Sequence, residues 1–232
     1  MAPELPFSYQ VVRSRRRRTA SLVIDMGCVE VRVPALVDAL WVDNWVRSKA
    51  DWIVPRLESQ TRALERHAIV IEQGGRFILE GVDFTLGWCR GAKSDVAVSG
   101  SQVQLTLSSR IRKDETDAVR ELLKRWMVGV AGQRLVARCR ELGEQCGLQP
   151  SAVQVRDYRR KWGQCNVRGE ISLNWRLLHL SPEQRDYVLI HELCHLREMN
   201  HGRRFWALVA RHCPDYRQYR SALSAAYPYL IW

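Results

Sequence analysis

The sequence predicts an α+β protein in two parts. A β-rich N-terminal domain with one helix spans residues 1–112, and a helix-dominated domain carrying an H-E-x-x-H helix spans 113–232. Three observations predict it. Short apolar runs punctuated by Gly and Pro fill the first half. A long segment with apolar residues at i, i+3, i+4 and i+7 begins near residue 114. A capped segment after Ser181 contains His191-Glu192-Leu193-Cys194-His195.

Tyr9-Gln10-Val11-Val12 and Ser21-Leu22-Val23-Ile24 are β-rich and flank Arg15-Arg16-Arg17-Arg18. That run reads as a solvated strand or hairpin edge, with a phosphate-contacting arm as the alternative. Val29, Val31 and Val33 alternate before Pro34, the pattern of a strand with one buried face. Val42, Trp45, Val46, Lys49, Trp52 and Ile53 follow helical spacing, so one helix is expected over 37–64, its aromatic stripe serving packing. Strands are expected at 68–71, 76–80, 83–89, 95–99 and 102–107, separated by Gly74-Gly75, Gly81, Gly91 and Gly100, as a β-meander or small barrel. The domain boundary is expected near residue 112.

Asp114 or Thr116 can cap the next helix, whose Val119, Leu122, Leu123, Trp126, Met127 and Val130 continue through Leu135, Cys139 and Leu142 to Gly143 and Gly147. Two β segments follow, Val153 to Asp157 and Glu170 to Leu177, joined by a connector that includes Arg160-Lys161-Trp162-Gly163-Gln164-Cys165. In the second segment Ile171, Leu173 and Trp175 share one face and Ser172, Asn174 and Arg176 the other, as in a strand with one buried face. Ser181 as N-cap, Pro182 at the first helical position and Gln184 closing a capping box start a helix expected to cover Asp186 to Met199.

That helix carries the chemistry. Residues four apart lie on one face, so the imidazoles of His191 and His195 can reach one ion. Zinc suits them, because it imposes no d-electron geometry and takes neutral imidazole nitrogens at about 2.0–2.1 Å. Glu192 is rotated by about 100° from His191, a position suited to a carboxylate that takes the proton of a metal-activated water. His201 is the natural third ligand, leaving a fourth position for water. Asn200 tolerates the left-handed conformation that ends a helix, and Gly202 frees the bend that would return His201 to the metal. A further helix carries Phe205, Trp206, Val209 and His212 up to Pro214. His179 and His212 read as ordinary core or helix-end residues, and Cys194 as packing. One zinc ion and four residues therefore make a hydrolytic site.

Composition sets the surroundings. No apolar run approaches the roughly 18 residues of a membrane-spanning helix, and no apolar stretch precedes the N-terminal arginines, so a protein without membrane attachment or processing is expected. The seven cysteines are odd in number and never spaced as C-x-x-C, which fits reduced thiols in a cytoplasm. The net charge of +11 admits nucleic acid or acidic substrates as partners.

Several blocks resemble the YgjP-like zinc metallopeptidases, which are related to the SprT and WLM families. They are Arg13 to Arg18 with the β-rich stretch after it, Lys161-Trp162-Gly163-Gln164-Cys165, Ile171-Ser172-Leu173-Asn174-Trp175-Arg176-Leu177, the His191 motif, and Asn200-His201 through Phe205-Trp206. The resemblance implies a zincin-like catalytic domain acting on protein or peptide, with His191, His195 and His201 as zinc ligands and Glu192 as catalytic residue. It also implies that Ile171, Ser172, Leu173 and Asn174 belong to the strand that pairs with substrate. Gln164 stands where the family pattern has Ser. Glu198 stands where the long three-histidine motif has Gly, so the turn to His201 must be built differently. Tyr216, Arg160 and Lys161 are candidates for oxyanion stabilisation. Three other readings compete: a DNA-associated SprT-like protease, favoured by 13 Arg or Lys against 7 Asp or Glu after residue 150; a non-catalytic module stapled by zinc; and a hydrolase of non-peptide amides.

Overall fold

The computed structural model describes residues 5–25, 28–67, 69–159 and 161–226. These divide into two compact units, one ending at Arg66 and one beginning at His67. In the first, strands β1 (Tyr9–Ser14), β2 (Ser21–Asp25) and β3 (Cys28–Pro34) form a sheet in the order β1-β3-β2. β3 is parallel to β1 and antiparallel to β2. Val29, Val31 and Val33 turn inward and pack with Val42, Val46 and Ile53, as their alternation requires. Since β3 lies between β1 and β2, Arg15–Arg18 connect two outer strands and are not the tip of a hairpin. The expected single helix over 37–64 is two, α1 (Ala39–Arg47) and α2 (Ala50–His67). The break comes at Ser48, whose hydroxyl donates to the Trp45 carbonyl at 2.7 Å and competes with continued helix bonding.

The second unit opens with a sheet of β4 (Arg76–Leu79), β5 (Val82–Gly91), β6 (Asp95–Ser99) and β7 (Gln102–Ser108), in the order β4-β5-β7-β6. β5 and β7 are parallel, so this is not a simple meander. Glu80 and Gly81, both at positive φ (53° and 80°), make the tight β4–β5 turn. Residues 69–71, expected as strand, lie outside any strand.

Helix α3 (Glu115–Cys146) starts at Asp114, whose carboxylate accepts from the Asp117 N–H, and stops at left-handed Gly147. Its buried Val119, Leu123, Met127 and Leu135 share one core with Val103, Leu105 and Leu107 of β7. Each such side chain contributes about 1.5–3 kcal/mol over exposure. The sheet of residues 76–108 therefore needs α3 to cover its apolar face. For that reason the units divide at 66/67 and not at the boundary expected near 112.

The other face of α3 packs against the elements that carry the site. β8 (Ala152–Arg156), β9 (Gly163–Cys165) and β10 (Glu170–Asn174) form a sheet in the order β8-β10-β9. Trp175–His179, expected to continue the strand, is a 3-10 helix capped by the Asn174 side chain. α4 (Pro182–Cys194), α5 (Arg203–His212) and α6 (Tyr216–Ala226) complete the unit.

Beneath the sheet, Arg176 is buried and pairs with Asp157, which also accepts from Trp175 Nε1 at 3.1 Å and pairs with Lys124 at 2.7 Å. Burial raises the Asp157 carboxyl, but these donors outweigh it and hold it well below the usual carboxylate range. Removing one partner of a buried pair costs about 3–5 kcal/mol. Asp157 keeps 42% of its side chain exposed, so Asp157→Asn should lose about 2–3 kcal/mol in urea unfolding at pH 7. Because the folded carboxyl is depressed, the stabilisation is present above about pH 4 and fades as pH falls further. The variant should lack that part of the acid limb.

Candidate metal centre

Ser181, Pro182 and Gln184 start α4 as a capping box with proline in the first turn, and the helix then delivers His191 and His195 to one face. Their ring centroids lie 5.0 Å apart. α4 ends at Cys194, so His195 sits at its C-cap and the helix does not continue to Met199. The chain reverses without a left-handed Asn200: among the described residues Glu80 alone of the non-glycines has positive φ. Overlapping turn bonds make the reversal. Leu196 N–H donates to Leu193 O at 3.0 Å, Arg197 and Glu198 N–H to Cys194 O at 3.1 Å, and Gly202 N–H to Asn200 O at 2.7 Å.

His201 Nε2 then lies 3.1 Å from His195 Nε2 and 3.1 Å from His191 Nε2. Two nitrogens held at about 2.05 Å by one tetrahedral ion stand about 3.3 Å apart, so the rings already have the spacing of a shared metal. His195 Nδ1 is 3.0 Å from the Glu198 carbonyl. A carbonyl can only accept, so Nδ1 carries the proton and the Nε2 lone pair faces the other imidazoles. Converging lone pairs of this kind suit a cation. Among the described residues, these three histidines are the cluster able to hold one, and no fourth His, Cys, Asp or Glu joins them.

Burial pushes His191 down to about 3, with His195, His201 and Arg220 adding to the effect, and burial likewise lowers His195. Both rings are thus neutral at physiological pH, the state in which imidazole binds metal. Glu192 is buried beside them, and burial pushes its carboxyl up to about 8 against the opposing charge of Lys161. Gly163 of β9 touches this carboxylate: a methyl group there would come within 2.8 Å of Glu192 Oε1.

Two neighbours of the histidines had no role in the sequence reading beyond helical packing. Phe205 is fully buried, stacks on His195 at 4.5 Å and meets His191 and His201 edge-on at 4.9 and 4.8 Å. Trp206 stacks on His201 at 5.7 Å. Phe205 and Trp206 therefore limit the rotation of all three rings. Their spacing of four and five residues from His201, at the start of a helix, was the available signal.

Other expected residues fall elsewhere. Ile171, Ser172, Leu173 and Asn174 are buried, and β10 is paired along both edges, by β8 and β9. A strand without a free edge cannot accept a peptide, so the expectation that these four residues bind substrate is corrected. β9 is the outer strand on the side of Glu192. Cys194 is buried in the core, and burial pushes its thiol up to about 12. His212 ends α5 outside the cluster, and His179 Nδ1 lies 2.7 Å from the Ile78 carbonyl. The Tyr216 hydroxyl accepts from Arg217 at 3.3 Å. Arg160 lies outside the described residues.

Three convergent histidines beside a buried carboxylate, on a helix packed against a small mixed sheet, form a cluster that could hold a metal ion. Comparison with known proteins supplies the class. Residues 18–226 match the model of the YgjP-like family, metallopeptidase domain, and the chain belongs to that family. It is accordingly a metallopeptidase, with protein or peptide as its class of substrate. No curated protein matches. The crystal structure of the metallopeptidase zymogen of Pyrococcus abyssi abylysin aligns over 38% of this chain and 90% of its own, with 24% identity and a TM-score of 0.35. That degree of likeness carries no argument about the fold. No helix among the described residues is long and apolar enough to cross a membrane.

Proposed function

We propose that the protein is a zinc-dependent metallopeptidase in which His191, His195 and His201 hold one ion and Glu192 is the general base. The observation that carries this reading is the approach of three Nε2 atoms, two of the separations being 3.1 Å, with Glu192 adjacent but outside the ligand cluster. A zinc ion there would supply Lewis acidity, acidifying water and polarising a carbonyl. Glu192 takes the proton of the attacking water on a carboxylate oxygen and returns it to the departing amine nitrogen. Burial raises this carboxyl, which suits it to holding a proton between the two transfers. His195 holds its Nε2 lone pair inward through the bond of Nδ1 to the Glu198 carbonyl, and Phe205 limits the rotation of the three rings.

A peptide would lie along the outer edge of β9 as an added strand, which brings a backbone carbonyl past Glu192. The close contact of Gly163 with Glu192 supports that placement. A zinc staple without catalysis would call for four protein ligands, and the cluster has three.

The test is a zinc titration of the metal-stripped protein, followed by peptide cleavage. One equivalent should bind, and at about 100 times Kd it should stabilise the fold by roughly 2.7 kcal/mol, seen as a rise in Tm. Cleavage should appear in step with zinc occupancy. No retained zinc, or cleavage unaffected by its removal, would overturn the reading.

A further inference from the structure

We propose that one end of the N-terminal unit is a peripheral anchor for anionic lipid bilayers, in which Arg15, Arg16 and Arg18 meet the headgroups while Leu36, Leu40 and Trp41 enter the interface.

The register of the first sheet builds this end. β1 and β3 run parallel and close with Ser14 opposite Pro34, so the two chains leave the sheet side by side, about 4.8 Å apart. Each turns at once. The Arg17 N–H donates to the Ser14 carbonyl at 3.3 Å and the Val37 N–H to the Pro34 carbonyl at 3.3 Å, which puts Arg15-Arg16 at one corner and Ala35-Leu36 at its neighbour. The Arg13 guanidinium ties down the second turn by donating to the Ala35 carbonyl at 3.2 Å and to the Val37 carbonyl. Arg17 donates to Ser21 Oγ at 2.9 Å and so holds the loop that leads into β2.

α1 begins just beyond the second corner. Leu36 is 99% exposed, Leu40 69% and Trp41 46%. Trp41 stacks on Trp45 at 5.6 Å, and Trp45 packs against the core of the unit, which braces the outer ring. Arg15, Arg16 and Arg18 are exposed, and among the described residues none of the three takes part in an ion pair. The acid on this stretch, Asp38, is the helix cap and accepts from the Leu40 and Trp41 N–H groups at 2.9 and 3.1 Å.

Apolar surface and positive charge therefore stand together, the two signals that stable attachment to a bilayer requires. Nucleic-acid phosphates would also satisfy the arginines, but bare leucines gain nothing from a phosphodiester strand, whereas acyl chains take them out of water. A surface anchor leaves no spanning run in a sequence, so the hydropathy pattern that argues against a transmembrane helix is silent on it.

The experiment sediments the protein with vesicles of phosphatidylcholine, alone or with phosphatidylserine added. Each cation near an anionic surface favours partitioning by about fivefold, so phosphatidylserine should raise binding by roughly 100-fold at low salt, and by less as ionic strength rises. Arg15→Glu with Arg16→Glu and Arg18→Glu should abolish that gain. Lysine at all three positions should keep it, since a lipid surface reads charge and not the guanidinium fork. Leu36→Ser with Leu40→Ser should lower binding by about tenfold or more, with an unchanged melting temperature because both positions are exposed. Binding indifferent to phosphatidylserine, or to the two leucines, overturns the proposal. So does tighter binding of a single-stranded oligonucleotide, read by anisotropy, that needs the arginines and ignores the leucines; the surface would then be one for nucleic acid. A dimer in sedimentation velocity that the leucine substitutions dissolve would overturn it as well, making the patch a contact between two copies.

Discussion

Glu192→Gln should lower kcat for peptide cleavage by about 10²- to 10⁴-fold, the usual contribution of a positioned general base, while zinc binds at wild-type stoichiometry. The substitution is nearly isosteric, so packing against Gly163 is kept and the buried site loses a group that carries a charge only when deprotonated. Stability at pH 7 should not fall, since burial has raised the carboxyl and an amide removes that cost. Cleavage and metal content measured on one preparation decide the matter. Wild-type cleavage by the variant would remove Glu192 from the chemistry, and loss of zinc would make it a ligand.

His201→Ala should abolish cleavage by a different route. With two of three imidazoles left, zinc affinity should fall by well over the ~10- to 100-fold that loss of a ligand's hydrogen-bond partner costs. His201 is exposed, unlike His195, so its removal opens no core cavity. Exposed substitutions generally change stability by no more than about 0.5 kcal/mol, and the metal-free variant should melt with the metal-free wild type. Zinc should then leave its Tm nearly unmoved where it raises that of the wild type. An unchanged affinity would show that the third nitrogen comes from elsewhere, and the proposed centre would have to be redrawn. A lowered Tm without zinc would instead mark His201 as a packing residue, through its contacts with Phe205 and Trp206.

Much of the fold was legible because its signals are local. The Ser181-Pro182-Gln184 start, the Asp114 cap, the Gly147 stop and the inward valines of β3 each depend on a few adjacent residues, and all four stand where the pattern puts them. Histidines four apart on a helix share a face for the same geometric reason. Local signals fail where two conformations have similar preferences. Ser48 splits a periodic segment with one hydroxyl bond, and Trp175 leaves the strand for a 3-10 turn with its alternation unbroken.

The letters alone were enough for the α+β class, for the helix that carries His191 and His195 and for the three histidines that come together, because propensity, capping and helical spacing act within a turn or two. Packing at long range decided the rest. Which strand has a free edge depends on partners far along the chain: β10 lies between β8 and β9, so the exposed edge beside Glu192 belongs to β9. The unit boundary at 66/67 follows from which core the second sheet joins. Likewise, only the docking of α5 and α6 against α4 sets Phe205 and Trp206 on the histidine rings and brings Arg220 over Trp206, and no periodicity in a single segment encodes how three segments meet.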